Sequence, residues 1–283
     1  MIDLPLVRTV HELRAQVAGW RGQGERIGLV PTMGALHPGH LSLVTRAKRD
    51  ADRVIASIFV NPTQFAIGED FDAYPRDEQR DAELLSSAGC DLLYAPPSSE
   101  IYPDGFATKV TVSGVSEPLD GAARPSHFAG VATVVAKLLI QAAPDVAVFG
   151  EKDYQQLQVI RRMVRDLDLP VQVIGAPTVR AQDGLALSSR NAYLTEEQRI
   201  VAGRLNVILA SMAGALARGA PVSAEEARGS ASLLEAGFDA VDYIEARSAE
   251  DLRPLGPGPV EAPARVLVAA RIGRTRLIDN MPV

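Results

Sequence analysis

The sequence predicts an α/β fold built on a doubly wound parallel sheet, followed by a smaller α+β region. Short apolar or β-branched runs alternate with segments of helical length, and strands that are joined through helices pair in parallel with helices on both faces. No internal repeat or low-complexity tract interrupts this alternation. The predicted strands cover residues 27–30, 54–60, 92–95, 146–149 and 171–174. The predicted helices cover residues 40–51, 77–88, 129–141 and 154–167.

The pattern changes after Pro177, where a loop over residues 179–191 leads into a long helical stretch that starts at Thr195. A second helix around residues 224–236 and strands at 240–246 and 265–270 complete this part, and we interpret the Pro/Gly-rich residues 255–259 as a hairpin connection. We therefore divide the chain into a Rossmann-like domain, residues 1–177, and a smaller α+β C-terminal domain, residues 178–283.

Composition bounds the possible functions. With 283 residues and 47% hydrophobic content the chain can bury a sizeable core, and its formal net charge of −6 argues against broad binding to nucleic acid. The single cysteine, Cys90, excludes an intramolecular disulfide and is predicted to be buried. The N-terminus has no basic region followed by an apolar one, and no stretch resembles a membrane span. We expect a cytoplasmic protein without a nucleic-acid or membrane partner.

Residues 31–40 are the most informative stretch, because they follow an apolar strand and lead into a helix. The first backbone N–H groups of a helix lack partners inside the helix, and the helix dipole adds positive potential there, so a triphosphate is a natural occupant. His37 and His40 can donate hydrogen bonds to the same phosphates. The spacing His-x-x-His, with Gly39 before the second histidine, is that of the nucleotide-binding signature of class I aminoacyl-tRNA synthetases and related nucleotidyl transferases. This signature leaves the acceptor undefined.

Other interpretations of this stretch are weaker. Two histidines three residues apart could ligate a metal, but a closed site needs three or four ligands and no nearby Cys or carboxylate supplies them, so we predict no metal site on the chain. A purely structural turn would need no histidine. The chain contains neither a G-x-G-x-x-G sequence after a strand nor a Walker A sequence, which disfavours a dinucleotide cofactor.

Four more polar segments follow strand ends or precede helices. They are residues 61–65, 124–128, 150–156 and 187–191. Lys152 lies at the start of a predicted helix, where the dipole disfavours a cation, and the negative charge of a ligand would reverse that penalty. Taken singly, such residues are more often simply solvated.

The polar side chains of these segments suit two kinds of ligand group. The amides of Gln64 and Gln156 offer paired donors and acceptors for a small polar acid. Ser188, Ser189 and Arg190 offer hydroxyls and a planar cation for phosphate.

Together, and in this order, these segments resemble the pantoate–β-alanine ligase family over about residues 26–195, with agreement again at residues 278–280. The matching stretches are residues 31–40, 57–65, 74–76, 127–131, 149–156 and 187–191. Two departures are small: Ser126 stands where the family usually has Gly, and Ala66-Ile67-Gly68 replaces a loop that usually contains Gly-Pro. Both departures concern local loop shape.

The resemblance implies an ATP-dependent ligase that joins pantoate to β-alanine through a pantoyl-adenylate, releasing pyrophosphate and AMP. It assigns catalysis to His40, with His37 and Lys152 as further donors, and pantoate binding to Gln64 and Gln156. It implies ATP contacts at Met33, His37, His40, Gly150, Lys152, Asp153, Val179, Leu187, Ser188, Ser189 and Arg190. Asp153 is expected to bind the ribose hydroxyls, and Mg²⁺ to bridge the phosphates without a protein cage. The family also implies a homodimer.

Two other functions remain open at this point. A nucleotidyl transferase acting on a small phosphorylated or acidic substrate would use the same histidine motif and sheet, but it would leave the nucleotide on its product. A non-catalytic ATP-binding sensor or scaffold is the second alternative. The paired glutamines disfavour the first, and Lys152 disfavours the second, because a protein that only binds ATP needs no group directed at a developing charge.

Overall fold

The computed structural model describes residues 4–65 and 71–283. Within these residues, six parallel strands form one sheet, and the strand order is β1-β4-β3-β2-β5-β6. The strands of this sheet are β1 (Leu6–Val7), β2 (Ile27–Thr32), β3 (Arg53–Ile58), β4 (Leu92–Tyr94), β5 (Val146–Gly150) and β6 (Gln172–Ala176). The predicted doubly wound sheet is confirmed.

The strand order reverses direction between β2 and β5. From β2 the chain builds outward through β3 and β4, and it then returns to place β5 on the other side of β2. At such a switch point the connections leave in opposite directions and open a crevice beyond the carboxyl ends of the strands, where ligands bind. The segments that follow β2 and β5 are therefore placed to form a site.

Helices cover both faces of the sheet. They are α1 (Val10–Arg21), α2 (Pro38–Ala47), α3 (Glu78–Ser87), α4 (Ser98–Ile101), α5 (Asp120–Ala123), α6 (His127–Ala142) and α7 (Tyr154–Asp166). In β2 the side chains of Ile27 and Leu29 pack into a core with α1, α6 and α7, whereas Val30 packs into a second core with α2 and α3. This alternation follows from the two-residue period of a strand, and the burial of both faces explains why the central strands are mostly apolar.

The C-terminal part contains α8 (Glu196–Ala217), α9 (Val222–Glu235) and three strands. The strands β7 (Ala240–Ser248), β8 (Ala264–Ile272) and β9 (Thr275–Pro282) form an antiparallel sheet in the order β7-β8-β9. Residues 255–259 lie in the connection between the antiparallel pair β7 and β8, as the hairpin interpretation predicted. The boundary at residue 177 between two domains remains a prediction.

Several elements differ from the prediction. The sheet gains the short edge strand β1, which was not predicted. The helix α1, also not predicted, begins at a capping box formed by Thr9 and Glu12. β3 ends at Ile58 and not at residue 60, and α2 begins at Pro38. β9 was not predicted as a strand, because its polar and charged residues interrupt the apolar pattern.

The expected burial of Cys90 is confirmed: the residue is 8% exposed, and burial raises the pKa of its thiol to about 11. In the described part of the chain, α8 alone is long and apolar enough to cross a membrane by length and composition. Its residues Leu205, Leu209 and Met212 are packed in the core beside the antiparallel sheet. A core helix satisfies the same length and composition criteria.

Candidate active site

A cleft of about 1040 Å³ lies beyond the carboxyl ends of the parallel strands. Thr32 at the end of β2, Gly150 at the end of β5 and Pro177 after β6 line it on one side, and residues of β9 line it on the other. The cleft contains every site residue predicted from the sequence. These are Met33, His37, His40, Gln64, Gly150, Lys152, Asp153, Gln156, Val179, Leu187, Ser188, Ser189 and Arg190. Their placement is observed, whereas their roles remain predictions.

The two histidines lie at the first turn of α2, directly after the loop that leaves β2. The Nδ1 atom of His37 accepts a hydrogen bond from the backbone N–H of Gly39 at 3.2 Å, and the Nδ1 atom of His40 accepts one from the backbone N–H of His37 at 3.4 Å. The ring centroids are 4.1 Å apart. These hydrogen bonds assign the proton of each neutral ring to Nε2, which leaves both Nε2–H groups as donors for a ligand.

Gly39 is required for this arrangement. A Cβ atom at position 39 would lie 2.8 Å from Cε1 of His37, closer than non-bonded carbon atoms approach. The absence of a side chain therefore allows the imidazole of His37 to lie across the first turn of the helix.

Both imidazoles are neutral at physiological pH. Burial, and secondly the Lys152 ammonium, lowers the pKa of His37 to about 4. Burial, and secondly the His37 ring, lowers the pKa of His40 to about 3. Desolvation disfavours the imidazolium, and a neighbouring cation disfavours it further. The pair therefore presents neutral N–H donors and adds no net charge to the cleft.

Lys152 lies in a 3₁₀ turn, Glu151–Asp153, that joins β5 to α7. Its Nζ atom is 3.3 Å from Oδ1 of Asp153, and its side chain is 19% exposed. Burial raises the pKa of Asp153, but Lys152 and, more weakly, Arg190 lower it by more, so the pKa stays below its usual range. Asp153 is thus an ionised acceptor beside a cation.

Gln64 joins three segments that are distant in sequence. Its Oε1 atom accepts a hydrogen bond from Nδ2 of Asn61 at 3.0 Å, and its Nε2 atom is 3.1 Å from the sulfur of Met33. Its carbonyl oxygen is 2.9 Å from Nδ1 of His127 at the start of α6. The residue is 9% exposed and lines the cleft, as Gln156 in α7 also does.

The serine and arginine segment approaches the cleft from the C-terminal side of β6. Ser188 caps the 3₁₀ turn Ser189–Tyr193, since its Oγ atom accepts a hydrogen bond from the backbone N–H of Arg190 at 3.3 Å. Oγ of Ser189 is 3.4 Å from the hydroxyl of Tyr74, which belongs to residues 74–76, another of the stretches that resemble the family. Residues of all four polar segments and of the stretch 31–40 thus line one cleft.

Two functional contacts were missed from the sequence. Asp81 in α3 is 2% exposed, and its carboxylate accepts hydrogen bonds from the backbone N–H groups of Ala35 and Leu36 at 2.9 and 2.8 Å. It thereby fixes the loop before His37. Nothing in the polar sequence around Asp81 distinguishes it from its exposed neighbours. The second contact is made by Asn280, which had no predicted role: its Nδ2 atom donates hydrogen bonds to the carbonyl oxygens of Glu151 and Lys152.

Of the two departures noted in the sequence, Ser126 is exposed with φ −95°, a value that any residue adopts, so the helix start does not need glycine there. Residues 66–68 lie outside the described residues.

The fold and the groups in the cleft are those of nucleotide-binding α/β enzymes, in which phosphates bind at helix starts beyond the strand ends. The family profile described as Pantoate-beta-alanine ligase matches residues 5–282. Pantothenate synthetase of Caulobacter vibrioides is 63% identical over 98% of both chains, and that of Rhodospirillum rubrum is 58% identical over 100% of both. The chain therefore belongs to the pantoate–β-alanine ligase family.

Solved structures agree with this assignment. Pantothenate synthetase of Thermus thermophilus superposes with a TM-score of 0.92 at 50% identity, covering 98% of this chain and 99% of that one. Pantoate-β-alanine ligase of Francisella tularensis, complexed with β,γ ATP and β-alanine, superposes with a TM-score of 0.83 at 34% identity, covering 99% and 98%. Both the parallel and the antiparallel sheet belong to the shared structure.

Proposed function

We propose that this chain condenses pantoate with β-alanine, using ATP, through a pantoyl-adenylate, with release of pyrophosphate and then AMP. One observation carries the proposal: His37 and His40 after β2 meet Lys152 after β5 at the switch point of the sheet, in the same cleft as Gln64 and Gln156. The complex of the Francisella family member with β,γ ATP and β-alanine supports ATP and β-alanine as substrates.

The chemistry requires activation of the acid. A carboxylate resists attack by an amine, so it must first acquire a good leaving group. In the proposed first step a pantoate carboxylate oxygen bonds to the α-phosphorus, and pyrophosphate leaves with the electron pair of the broken P–O bond. In the second step the amine of β-alanine attacks the acyl carbon, AMP leaves, and the amine nitrogen loses a proton.

The donors at the phosphate end fit the first step. Charge accumulates on the phosphoryl oxygens during attack, and preorganised donors in a partly dry site stabilise that charge. The Nε2–H groups of His37 and His40 and the ammonium of Lys152 are such donors, and Arg190 with the serine hydroxyls suits the remaining phosphate oxygens. The neutral histidines contribute hydrogen bonds without the desolvation penalty of two more buried cations.

The glutamines fit the acid. Nε2 of Gln64 lies 3.1 Å from a thioether sulfur, a weak acceptor, so a pantoate oxygen is a better partner for this donor. Nδ2 of Asn61 donates a hydrogen bond to Oε1 of Gln64, and this bond fixes the direction in which Nε2 of Gln64 points. Gln156 offers a second amide from α7.

The donor set also bears on Mg²⁺, which the family resemblance implies. Among residues 4–65 and 71–283 no group of three His, Cys, Asp or Glu side chains is arranged to hold a metal ion. This composition fits Mg²⁺ bound through phosphate oxygens and water, the mode that the ion prefers with nucleotides, and Asp153 offers a carboxylate in the cleft beside Lys152. Bound in this way, the ion would neutralise phosphate charge during adenylation.

The proposal is tested by following an oxygen atom. If a pantoate carboxylate oxygen attacks the α-phosphorus, that oxygen stays on phosphorus when the amine displaces AMP. With pantoate labelled with heavy oxygen in its carboxylate, mass spectrometry should therefore find the label in AMP. Label in inorganic phosphate, accompanied by ADP, would show activation through the γ-phosphate and overturn the mechanism.

The same incubation distinguishes the alternative functions. A product that keeps the nucleotide would support the nucleotidyl transferase, and unchanged ATP would support a protein that only binds it. Formation of the adenylate before the amine reacts is tested separately by exchange of labelled pyrophosphate into ATP with pantoate present and β-alanine absent. Exchange that strictly requires β-alanine would contradict the stepwise order.

We also propose that the protein is a cytoplasmic homodimer, as the family resemblance implies. The buried Cys90 supports a reducing compartment, because no other cysteine is available for a disulfide. Light scattering coupled to size exclusion should give twice the mass of the chain, and a monomer mass at micromolar concentration would contradict the dimer.

A further inference from the structure

Asn280 joins the C-terminal sheet to the turn that carries Lys152. It lies in β9 and is 3% exposed. Its Nδ2 atom donates hydrogen bonds to the carbonyl oxygens of Glu151 and Lys152, both at 2.8 Å. Its Oδ1 atom accepts a hydrogen bond from Nε of Arg265 in β8 at 2.5 Å. Each polar atom of the buried amide thus has a partner, and both donor hydrogens are used on one short turn.

That turn has little local support of its own. The 3₁₀ turn Glu151–Asp153 has no side-chain cap at Gly150, and α7 has no side-chain cap at Asp153. A turn without caps depends on tertiary contacts to satisfy its backbone groups and to fix its direction. Asn280 supplies two of these contacts through the backbone, directly beside the residue whose side chain enters the cleft.

Arg265 supports the same arrangement from the neighbouring strand. Its Nη2 atom forms an ion pair with Oε2 of Glu151 at 3.0 Å, and its guanidinium lies 3.9 Å from the ring centroid of Tyr154. Its side chain is 10% exposed. Because the planar guanidinium is held by an acid, an aromatic face and the amide of Asn280, it is rigid. The hydrogen bond from Arg265 to Oδ1 therefore favours the orientation of the Asn280 amide in which Nδ2 faces the turn.

We propose that Asn280 is a positioning residue for the reaction: it holds the backbone of Glu151 and Lys152 so that the Lys152 ammonium meets the phosphate group of the nucleotide. The inference rests on the proposed function, in which Lys152 stabilises charge on phosphorus. Displacement of a reacting or stabilising group by about 1 Å lowers rates by as much as roughly 10²-fold, so a residue that fixes a turn has a kinetic effect without touching the substrate. The antiparallel sheet thereby contributes to the geometry of a site formed by the parallel one.

The test uses Asn280→Asp, which keeps the shape of the side chain. A carboxylate oxygen would then face two carbonyl oxygens and repel the turn, while Arg265 keeps an acceptor. We expect kcat for pyrophosphate exchange to fall roughly 10- to 100-fold, with KM for pantoate within about threefold of the parental value. Should this variant fail to fold, Asn280→Ala carries the same test, because it removes the two donors without adding repulsion.

The control is Val268→Ala. Val268 lies in β8 opposite Asp279, is fully buried and belongs to the core of the antiparallel sheet. This substitution lowers stability without altering the contacts of Asn280, so it should lower the melting temperature and leave kcat at the parental value. A similar loss of kcat in Val268→Ala would show that activity depends only on the stability of the sheet, and this would overturn the inference.

A double-mutant cycle separates this inference from the proposed function. If Asn280 acts through Lys152, Asn280→Asp should change kcat by less than about twofold when Lys152 is already alanine. An equal fold-loss in both backgrounds, or parental kcat in Asn280→Asp alone, would overturn the positioning role. Parental kcat in Lys152→Ala would instead remove the role of Lys152 in the proposed function, and the positioning role would fall with it.

Discussion

In the proposed mechanism His37 and His40 are neutral donors, and their place in the chain explains why. Each Nδ1 atom is occupied by a backbone N–H group at the start of α2, and burial holds the pKa of each ring far below its usual value. Lys152 lies in the turn after β5, and in the same proposal it supplies the positive charge. We propose that the roles divide accordingly: hydrogen bonds from the histidines direct the phosphate oxygens, and the ammonium stabilises the charge that develops on them.

Removal of the proposed phosphate donors His40 and Lys152 should lower kcat strongly. We expect His40→Ala and Lys152→Ala each to lower kcat by roughly 10²–10³-fold, the effect of removing one preorganised transition-state donor. Steady-state assays of AMP release measure this change. His11→Ala, which alters an exposed histidine of α1, is the matched control and should keep parental kcat. Near-parental kcat in either site variant would remove the assigned role from that residue.

The low pKa of His40 predicts a loss of stability in acid. The unfolded chain protonates the imidazole near pH 6.5 and the folded chain only near pH 3, so between these values the unfolded state binds more protons and stability falls as pH falls. When the pH is lowered from 7.5 to 5, the free energy of unfolding should therefore fall by about 2 kcal/mol less in His40→Gln than in the parent.

Urea denaturation at the two pH values measures this difference. His11→Gln is the control, because His11 is exposed and its replacement should leave the pH dependence of the parent unchanged. Identical pH dependence in the parent and in His40→Gln would show that the imidazole of His40 is not buried in the neutral form.

At the scale of elements, the part of the cleft that we propose to bind pantoate depends on close contact between α6 and the 3₁₀ turn Pro62–Gln64. Gly130 in α6 lies against this turn: a Cβ atom there would be 2.4 Å from the carbonyl oxygen of Thr63 and 2.7 Å from the backbone N of Gln64. The carbonyl oxygen of Gly130 also accepts a hydrogen bond from Asn61. The position of Gln64 is thus set by backbone packing.

Gly130→Ala should therefore impair the binding of pantoate, although Gly130 itself has no side chain to contact it. We expect the turn to move and KM for pantoate to rise roughly 10- to 100-fold, as it should in Gln64→Ala, with KM for ATP within about threefold. Initial-rate kinetics with each substrate varied measures both constants. Gly19→Ala is the control, because nothing lies within 4 Å of its added Cβ and alanine favours the helix. Equal rises in both KM values would mean that the whole cleft had been disturbed.

The elements that could be predicted were those with a periodic apolar signal. The buried strands β2 to β6 and the longer helices α2, α3, α6 and α7 follow from alternation of apolar runs, whereas the four-residue helices α4 and α5 were not predicted. The loops after β2 and β5 carried recognisable motifs. The edge strand β1 was missed because two residues contain no period, and β9 was missed because Asp279 and Asn280 interrupt its apolar pattern. In β9, polarity reflects tertiary bonds to Arg180 and to the Lys152 turn.

The site could be predicted as a set of residues but not as a set of contacts. Motif order indicated which side chains share a cleft. The hydrogen bonds of Asp81 to the loop before His37 could not be predicted, because a single acid on a polar helix has no sequence signature until the helix is placed. The hydrogen bonds that the rings of His37 and His40 accept from backbone N–H groups could not be predicted either, because they depend on dihedral angles that the residue types alone do not determine.

At the scale of the whole molecule, buried charges connect the two sheets. Arg276 in β9 forms ion pairs with Asp120 in α5 and with Asp242 in β7, both at 2.6 Å, and the hydroxyl of Tyr243 donates to Asp120 at 2.9 Å. The Arg276 side chain is 17% exposed. Leu267 of β8 also packs into the core that contains α6 and α7. The division at residue 177 therefore crosses a packed and charged boundary, and we expect the parts to unfold together.

Arg276→Met should separate them. The substitution keeps much of the apolar length but leaves Asp120 and Asp242 without this partner, and loss of one member of a buried pair costs about 3–5 kcal/mol. The single tryptophan, Trp20, lies in the core against the parallel sheet, so its fluorescence reports that part, whereas far-ultraviolet circular dichroism reports both. In the parent the two urea transitions should coincide. In Arg276→Met the circular dichroism transition should begin at lower urea, because the C-terminal part loses its charged connection and unfolds first.

Arg253→Met is the matched control, because Arg253 pairs with Asp251 where both side chains are more than half exposed. An exposed pair contributes about 0–1 kcal/mol, so the two transitions of this variant should still coincide near the parental midpoint. Coincident transitions in Arg276→Met, at whatever midpoint, would show that the apolar contacts of Leu267 and its neighbours are sufficient to couple the two parts. Separate transitions already in the parent would instead show two independent folding units divided near residue 177, with the charged boundary contributing nothing to their cooperativity.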